Sequence, residues 1–413
     1  MQTIQIFYIF LVLIVGEFIV SKWIWYLNTK NWSNDVPQEL LSIYDQSKYS
    51  MSQKYEKEKY TFGLFTSIFS FFIIILAVVT WFFWYLDSLI RLYFQNTYAI
   101  TLFFFGTLIF IQSIINLPFD YYSTFRIEER YGFNTSSKKL FFTDLFKSLL
   151  LTCVIGWLLL TAILWIYTLT QDTFWVYAWI LLSLFSIFMM MFYSHIIVPL
   201  FNKQVPLEDG ELKNAIKMFA QKVWFEIDNI YVIDGSKRSS KANAYFTWLW
   251  KKKRIVLFDT LIKDLSVDEI VAVLAHEIGH YKKKHTLQML LFSIIQTWFV
   301  LYVLSLTLKI PEVSYALWAT QSSFHIWVIA FSILFTPLSM FLWILANMLS
   351  RKNEYEADEF ASKNFGAEKL QNALKKLSVN NLTNLRPHPV YEFVHYSHPT
   401  VLKRLQAMEK FKN

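Results

Sequence analysis

Two histidines and three carboxylates in this chain carry spacings suited to metal-assisted hydrolysis. His276 and His280 stand four residues apart in Val271-Ala272-Val273-Leu274-Ala275-His276-Glu277-Ile278-Gly279-His280. On a helix that spacing puts both imidazoles on one face, one turn apart. There they can share one zinc ion, with Glu277 beside the first as general base. Structural zinc sites close with four protein ligands, whereas catalytic sites use three and keep one position open. The third candidate is Glu354, in Ser350-Arg351-Lys352-Asn353-Glu354-Tyr355-Glu356-Ala357-Asp358. Glu354 and Asp358 are again four apart, so Glu354 can bind the ion while Asp358 holds a ligand imidazole from behind. Glu356 points to another face, and Glu359 is less suitable still. Cys153 is the only cysteine, which excludes a disulfide framework or a cysteine-based zinc site within one chain.

The elements that must position these groups can be read outward from the motif. Ser266 is a good N-cap, and Glu269 three residues on completes a capping box. Ile270, Val271, Val273 and Leu274 supply an apolar face. The rest of the chain is 55% hydrophobic and 19% aromatic, with only 17% charged residues. Soluble domains carry about 25%, so the composition indicates a membrane protein. Residues 4–21 read as a retained anchor, since no basic residues precede them and no small-residue cleavage site follows. Further apolar runs of spanning length lie at 64–86, 97–117, 149–169, 174–199, 287–308 and 326–349, for about seven spans in all. Pro337 should kink or locally open the last. Glu17 either faces an internal chamber or sits near the interface. His195, near the end of the fifth span, reads as an interfacial residue.

Charge sets the orientation. Lys30, Lys48, Lys54, Lys57 and Lys59 follow the first span, and Arg126, Arg130, Lys138 and Lys139 follow the third. The second connection has only Arg91, the fourth has Asp172 and no cation, and the sixth has Lys309 alone. Cations alternate with each crossing, so the N-terminus is expected outside and the C-terminus in the cytosol. The net charge of +8 is read as this topology rather than as nucleic-acid binding. His276 and His280 precede the sixth span and Glu354 follows the seventh. Two crossings lie between them, which returns both segments to one membrane face.

Four regions are expected: spans one to five over 1–199, a cytosolic-face insert over 200–286 with the metal helix, spans six and seven over 287–349, and a helical tail over 350–413 carrying the third ligand. In the insert, Leu212–Phe225 has helical periodicity, and Asn229–Ile233 and Arg254–Phe258 read as strands. A small sheet beside the metal helix offers an edge for an extended peptide. Lys251, Lys252, Lys253 and Arg254 read as a solvated turn near anionic lipid, and Lys282, Lys283 and Lys284 as an interfacial belt. His398, before Pro399, is biased to extended backbone. It can reach a site, or it is a surface histidine.

These motifs resemble the type I CAAX prenyl proteases, integral membrane zinc metalloproteases. Besides His276–His280 and Glu354–Asp358, the resemblance is carried by Gly235–Phe246 with Arg254–Thr260, by Pro118–Phe125, by Glu128–Asn134, and by Ser397-His398-Pro399. Thr400 stands where the family more often has a second proline. The resemblance implies an all-α membrane protein with a small α+β insert, its seven long helices forming an α-barrel around a water-filled intramembrane chamber. It implies zinc on His276, His280 and Glu354, Glu277 as base, and Asp358 as an orienting group. It alone implies that Asn243 contacts the peptide backbone and that His398 and Arg404 hold the substrate carbonyl or oxyanion. The implied substrate is a prenylated protein or peptide trimmed near its C-terminus, or membrane proteins at large if the source lacks prenylation. The implied location is the endoplasmic reticulum of a eukaryote or the cytoplasmic membrane of a prokaryote. A seven-span transporter or channel would explain the hydropathy but not the paired spacings.

Overall fold

The computed structural model describes residues 2–33, 35–227, 229–249 and 252–412. The first apolar run forms α1 (Thr3–Thr29). The second begins far upstream of the expected start, as α2 (Gln46–Val79), because the Asp45 carboxylate caps it by accepting from the Lys48 amide at 2.8 Å. It also ends early. Trp81 adopts a left-handed backbone, φ 60°, and the chain turns into α3 (Phe82–Arg91). The last part of the expected 64–86 span therefore belongs to a different helix. There Asp87 accepts from Arg91 Nε at 2.8 Å and lies 2.7 Å from His325 Nε2, a buried clamp between distant segments.

α4 (Thr97–Tyr122) continues through Pro118 into a π-helical turn, Ser123–Glu128. α5 (Lys138–Thr170) and α6 (Phe174–Ile196) belong to one apolar run that folds back at Gln171, φ 44°. Lys147 Nζ consequently reaches the Leu200 carbonyl in the short α7 (Val198–Phe201), at 2.8 Å. Among the described residues, five helical runs are long and apolar enough to cross a membrane, or six with one bent pair counted.

The insert holds a four-stranded sheet. Its strands are β1 (Gln204–Pro206), β2 (Asn229–Ile233), β3 (Ala244–Leu249) and β4 (Lys252–Phe258), in the order β1-β2-β4-β3. β2 and β4, the two expected strands, are neighbours but parallel, so they do not form a hairpin. β3 pairs antiparallel with β4 and is the outer strand. Lys251 lies outside the described residues. Arg254 is not in a solvated turn: its guanidinium stacks 3.8 Å from the Tyr231 ring centroid. The helices α8 (Glu211–Lys222), α9 (Asp259–Asp264) and α10 (Val267–Lys282) complete the insert.

A hydrophobic core around Ile255, Leu257, Val271, Leu274 and Leu370 fixes α10 against the sheet and the tail. Polar clamps bind the insert to the membrane helices. Arg238 donates two hydrogen bonds to Asp144, at 2.7 and 2.9 Å, and Lys241 donates to Glu128 at 2.8 Å.

α11 (His285–Thr307) leaves α10 directly, through Lys284 in the left-handed region at φ 59°. After α12 (Pro311–Tyr315) comes the bent pair α13 (Phe324–Leu334) and α14 (Thr336–Ala361), which meet at 62° with Pro337 in the first turn of α14. α14 runs well past the expected end of its span, so Glu354 and Asp358 ride on an uninterrupted extension of a membrane helix. The tail adds α15 (Ala367–Asn380), α16 (Pro389–His395) and α17 (Val401–Met408).

Candidate metal centre

α10 is built as its sequence indicates. The Ser266 amide donates to Glu269 Oε2 at 2.8 Å, and the Ser266 hydroxyl caps the Glu269 amide. α10 lies directly against α14, and Gly279 is the reason. A Cβ at that position would fall 3.1 Å from both the Cα and the carbonyl oxygen of Ala357. A side chain there would press the two backbones apart, so the glycine lets one turn of each helix come together.

The result is a triangle. His276 Nε2 and His280 Nε2 face each other at 3.1 Å. Glu354 Oε1 is 3.3 Å from His280 Nε2, and Glu354 Oε2 is 3.5 Å from His276 Nε2. The Glu354 Oε2 atom is buried without a well-aligned hydrogen bond, although Arg404 Nη1 stands 3.1 Å away. Ligands about 2.0–2.1 Å from a tetrahedral ion sit about 3.3–3.4 Å from one another. The separations and the nitrogen and oxygen donors therefore fit a divalent cation of that size, held by three side chains.

Behind the triangle, His276 Nδ1 lies 2.8 Å from Asp358 Oδ1. Arg404 grips the same carboxylate with Nε at 2.8 Å and Nη2 at 2.7 Å. Burial and Arg404 push the His276 imidazole's pKa down, the hydrogen bonds to Asp358 and Glu354 push it up, and the carboxylates prevail at about 9. A proton and a cation thus compete for this ring. Glu277 is half-buried and has no hydrogen-bond partner among the described residues. Burial raises its pKa against the pull of the two imidazoles, which strengthens it as a base. It opens, with His280, onto a cavity of about 300 Å³.

The other expected residues divide. His398 Nε2 is 3.3 Å from Glu354 Oε1 and its ring is exposed, so it stands on the open side of the triangle. Asn243 is exposed immediately before β3, and its Oδ1 accepts from the Ala244 amide at 2.8 Å. Arg404, which the resemblance puts at the substrate, is buried behind the triangle, donating to Asp358 and lying 3.1 Å from Glu354. It neutralises two carboxylates crowded around one ring. Replacing it by Met should therefore cost about 3–5 kcal/mol, the usual penalty for orphaning a buried charge. Denaturation in detergent measures this, and Asp358→Asn added to Arg404→Met should recover part of the loss.

Glu17 is exposed and lines a second cavity, of about 560 Å³, with Gln296, Trp343 and His395. Met289 borders both cavities. His195 is exposed at the end of α6 and joins no ligand group among the described residues.

Three residues at the site escape sequence reasoning. His285 sits behind His280, with Glu356 behind it, at 3.0 and 3.2 Å. The side-chain nitrogen of Asn353 is buried without a partner, and the residue lines the cavity of Glu277. The one signal for His285 is a third histidine just past a lysine run. Helical periodicity cannot place it, because the left-handed Lys284 intervenes.

A model described as the CAAX prenyl protease N-terminal region, with five membrane helices, matches residues 25–203, and one described as peptidase family M48 matches residues 206–412. CAAX prenyl protease 1 of Saccharomyces cerevisiae is 40% identical over 344 residues, covering 78% of this chain and 76% of the yeast protein. The Homo sapiens homolog is 31% identical over 423 residues, covering 91% and 89%. The crystal structure of S. mikatae Ste24p matches with a TM-score of 0.92 at 34% identity, over 98% of this chain and 99% of that one. A transporter or channel is thereby set aside. Likeness along nearly the whole length, in both the membrane helices and the peptidase half, places this chain in the CAAX prenyl protease family as an integral membrane metalloendopeptidase.

Proposed function

We propose that the chain is a zinc peptidase that cuts near the C-terminus of prenylated CAAX-type proteins, at the cytosolic end of an intramembrane chamber. The observation that carries this is the ligand triangle, assembled from two helices, α10 and α14, that adjoin membrane spans. His276, His280 and Glu354 hold the ion. When bound, it supplies Lewis-acid polarisation of the scissile carbonyl and acidifies the attacking water. Glu277 takes the water's proton and delivers it to the leaving amine. Asp358, itself held by Arg404, orients His276 through Nδ1. The Ser397 hydroxyl lies 2.9 Å from His398 Nδ1, and donating there leaves Nε2 protonated to stabilise the carbonyl oxygen as charge develops. Asn243 and the free edge of β3 take the extended peptide backbone.

Seven crossings follow if the folded-back run Lys138–Phe201 is two spans and the bent pair α13–α14 is one. On this reading the cavity around Glu17 is part of that chamber. The regions 1–199, 200–286, 287–349 and 350–413 then alternate between membrane and cytosolic face, and the two family models meet between residues 203 and 206, beside the proposed start of the insert. The positive-inside pattern puts the N-terminus outside the cytosol and the C-terminus within it. In a eukaryotic cell that membrane is the endoplasmic reticulum.

Purified protein given a farnesylated CAAX peptide and its unprenylated twin tests the substrate. The expected result is at least tenfold higher kcat/KM for the farnesylated peptide, since an apolar chamber rewards burial of the lipid at about 0.8 kcal/mol per methylene. Equal rates on both peptides would instead favour general turnover of membrane proteins.

A further inference from the structure

The two imidazoles of the triangle are supported differently. His276 has a carboxylate behind it, Asp358 at 2.8 Å, whereas His280 has another imidazole. His280 Nδ1 lies 3.0 Å from His285 Nδ1, and His285 Nε2 lies 3.2 Å from Glu356 Oε2. His285 is only 2% exposed. It reaches back toward α10 because Lys284 takes a left-handed conformation between α10 and α11, a costly choice for a residue other than glycine. Glu356 comes from α14, on a different face from Glu354 and Asp358. The two residues thus join three helices around one side of a single ring.

We propose that His285 and Glu356 are positioning residues for the metal ligand His280, a relay that fixes its tautomer and its ring plane. The proposal rests on His280 binding the ion, as in the function given above. The proton logic is closed. A histidine that ligates through Nε2 carries its hydrogen on Nδ1 and donates it there. His285 Nδ1 must then be the bare acceptor, so the His285 proton resides on Nε2. That N–H needs an acceptor, and the Glu356 carboxylate supplies one. Reversing the His285 tautomer would set two N–H groups against each other at His280. An imidazole, unlike a carboxylate, is both donor and acceptor, so it orients His280 only if something orients it in turn. Glu356 does that, and a neutral ring next to the ligand adds no second charge beside Glu354.

Purified full-length protein in detergent is titrated with Zn²⁺ against a chromophoric chelator, and the Co²⁺-substituted protein is examined for its d–d spectrum. His285→Phe keeps the ring but cannot accept. It should weaken zinc affinity about 10- to 100-fold, the usual loss when a ligand's supporting partner is removed, and should alter the cobalt spectrum. His285→Gln can accept through its side-chain oxygen and should restore most of the affinity. Glu356→Gln, which still offers an oxygen, should stay within about threefold of wild type. Glu356→Lys, which can only donate, should be weaker than Glu356→Leu. His280→Ala separates the two readings. If it leaves zinc affinity unchanged, the assignment of His280 as a ligand fails. If it abolishes binding while His285→Phe binds as wild type, or while His285→Phe and His285→Gln are equally impaired, the relay alone is overturned.

Discussion

Glu277→Gln is expected to leave one zinc per chain in place and to lower kcat by about 10²–10⁴-fold, the usual contribution of a general base. The amide occupies the same space, so nothing in the packing of α10 changes. What disappears is the ability to accept a proton. Glu277 adjoins His276 in sequence, opens onto the cavity that borders His280, and has no partner among the described residues to compete for its lone pairs. Asp358 cannot substitute, because both its oxygens are already engaged by Arg404 and His276. His276→Ala is the paired control. It removes a corner of the triangle, so zinc content and cleavage should fall together. Elemental analysis alongside a peptide-cleavage assay separates the two effects. A Glu277→Gln protein that cleaves at the wild-type rate would remove Glu277 from the chemistry, and one that lost its zinc would make it a structural residue.

How much of this site can be read from the chain depends on how local each interaction is. Helical spacing alone pairs His276 with His280 and Glu354 with Asp358, and Ser266 with Glu269 announces where the first of these helices begins. Hydropathy then gives the expectation that both segments lie at one face of the membrane, and the structure does bring them together. These inferences need only a period and a count of crossings. What escapes them depends on close approach between distant segments. The contacts of Arg404 are set by the burial of α17, which carries it behind the triangle, and nothing in its own neighbourhood announces that. His285 is hidden by one left-handed residue, since positive φ at a lysine has no signature in composition. The parallel pairing of β2 with β4 hides because nothing in the stretch between them discloses that Ala244–Leu249 will become the outer strand, β3. The break after Val79 hides because another left-handed residue, Trp81, cuts a continuous apolar stretch.

Gly279→Val should destroy the metal centre without touching a ligand. The glycine lies beside His280, and its neighbour across the interface, Ala357, lies beside Asp358. Even a single Cβ at Gly279 would press on the Ala357 backbone at 3.1 Å and on Phe360 Cβ at 3.2 Å. A backbone cannot rotate out of the way as a side-chain tip can, so two further methyl groups must be accommodated by separating α10 from α14. The triangle cannot follow. Its edges are 3.1–3.5 Å, and a functional constellation tolerates displacements of only about 0.5 Å. Stability should fall by about 1–3 kcal/mol, the range for an overpacked core, while zinc affinity should fall at least 100-fold, because Glu354 moves away from both imidazoles at once. Gly279→Ala should lie between, since alanine's better helix propensity offsets about 1 kcal/mol of its clash. Zinc titration combined with circular dichroism discriminates the outcomes. A valine variant that remains helical and still binds one zinc with wild-type affinity would mean that the two helices do not meet at this glycine.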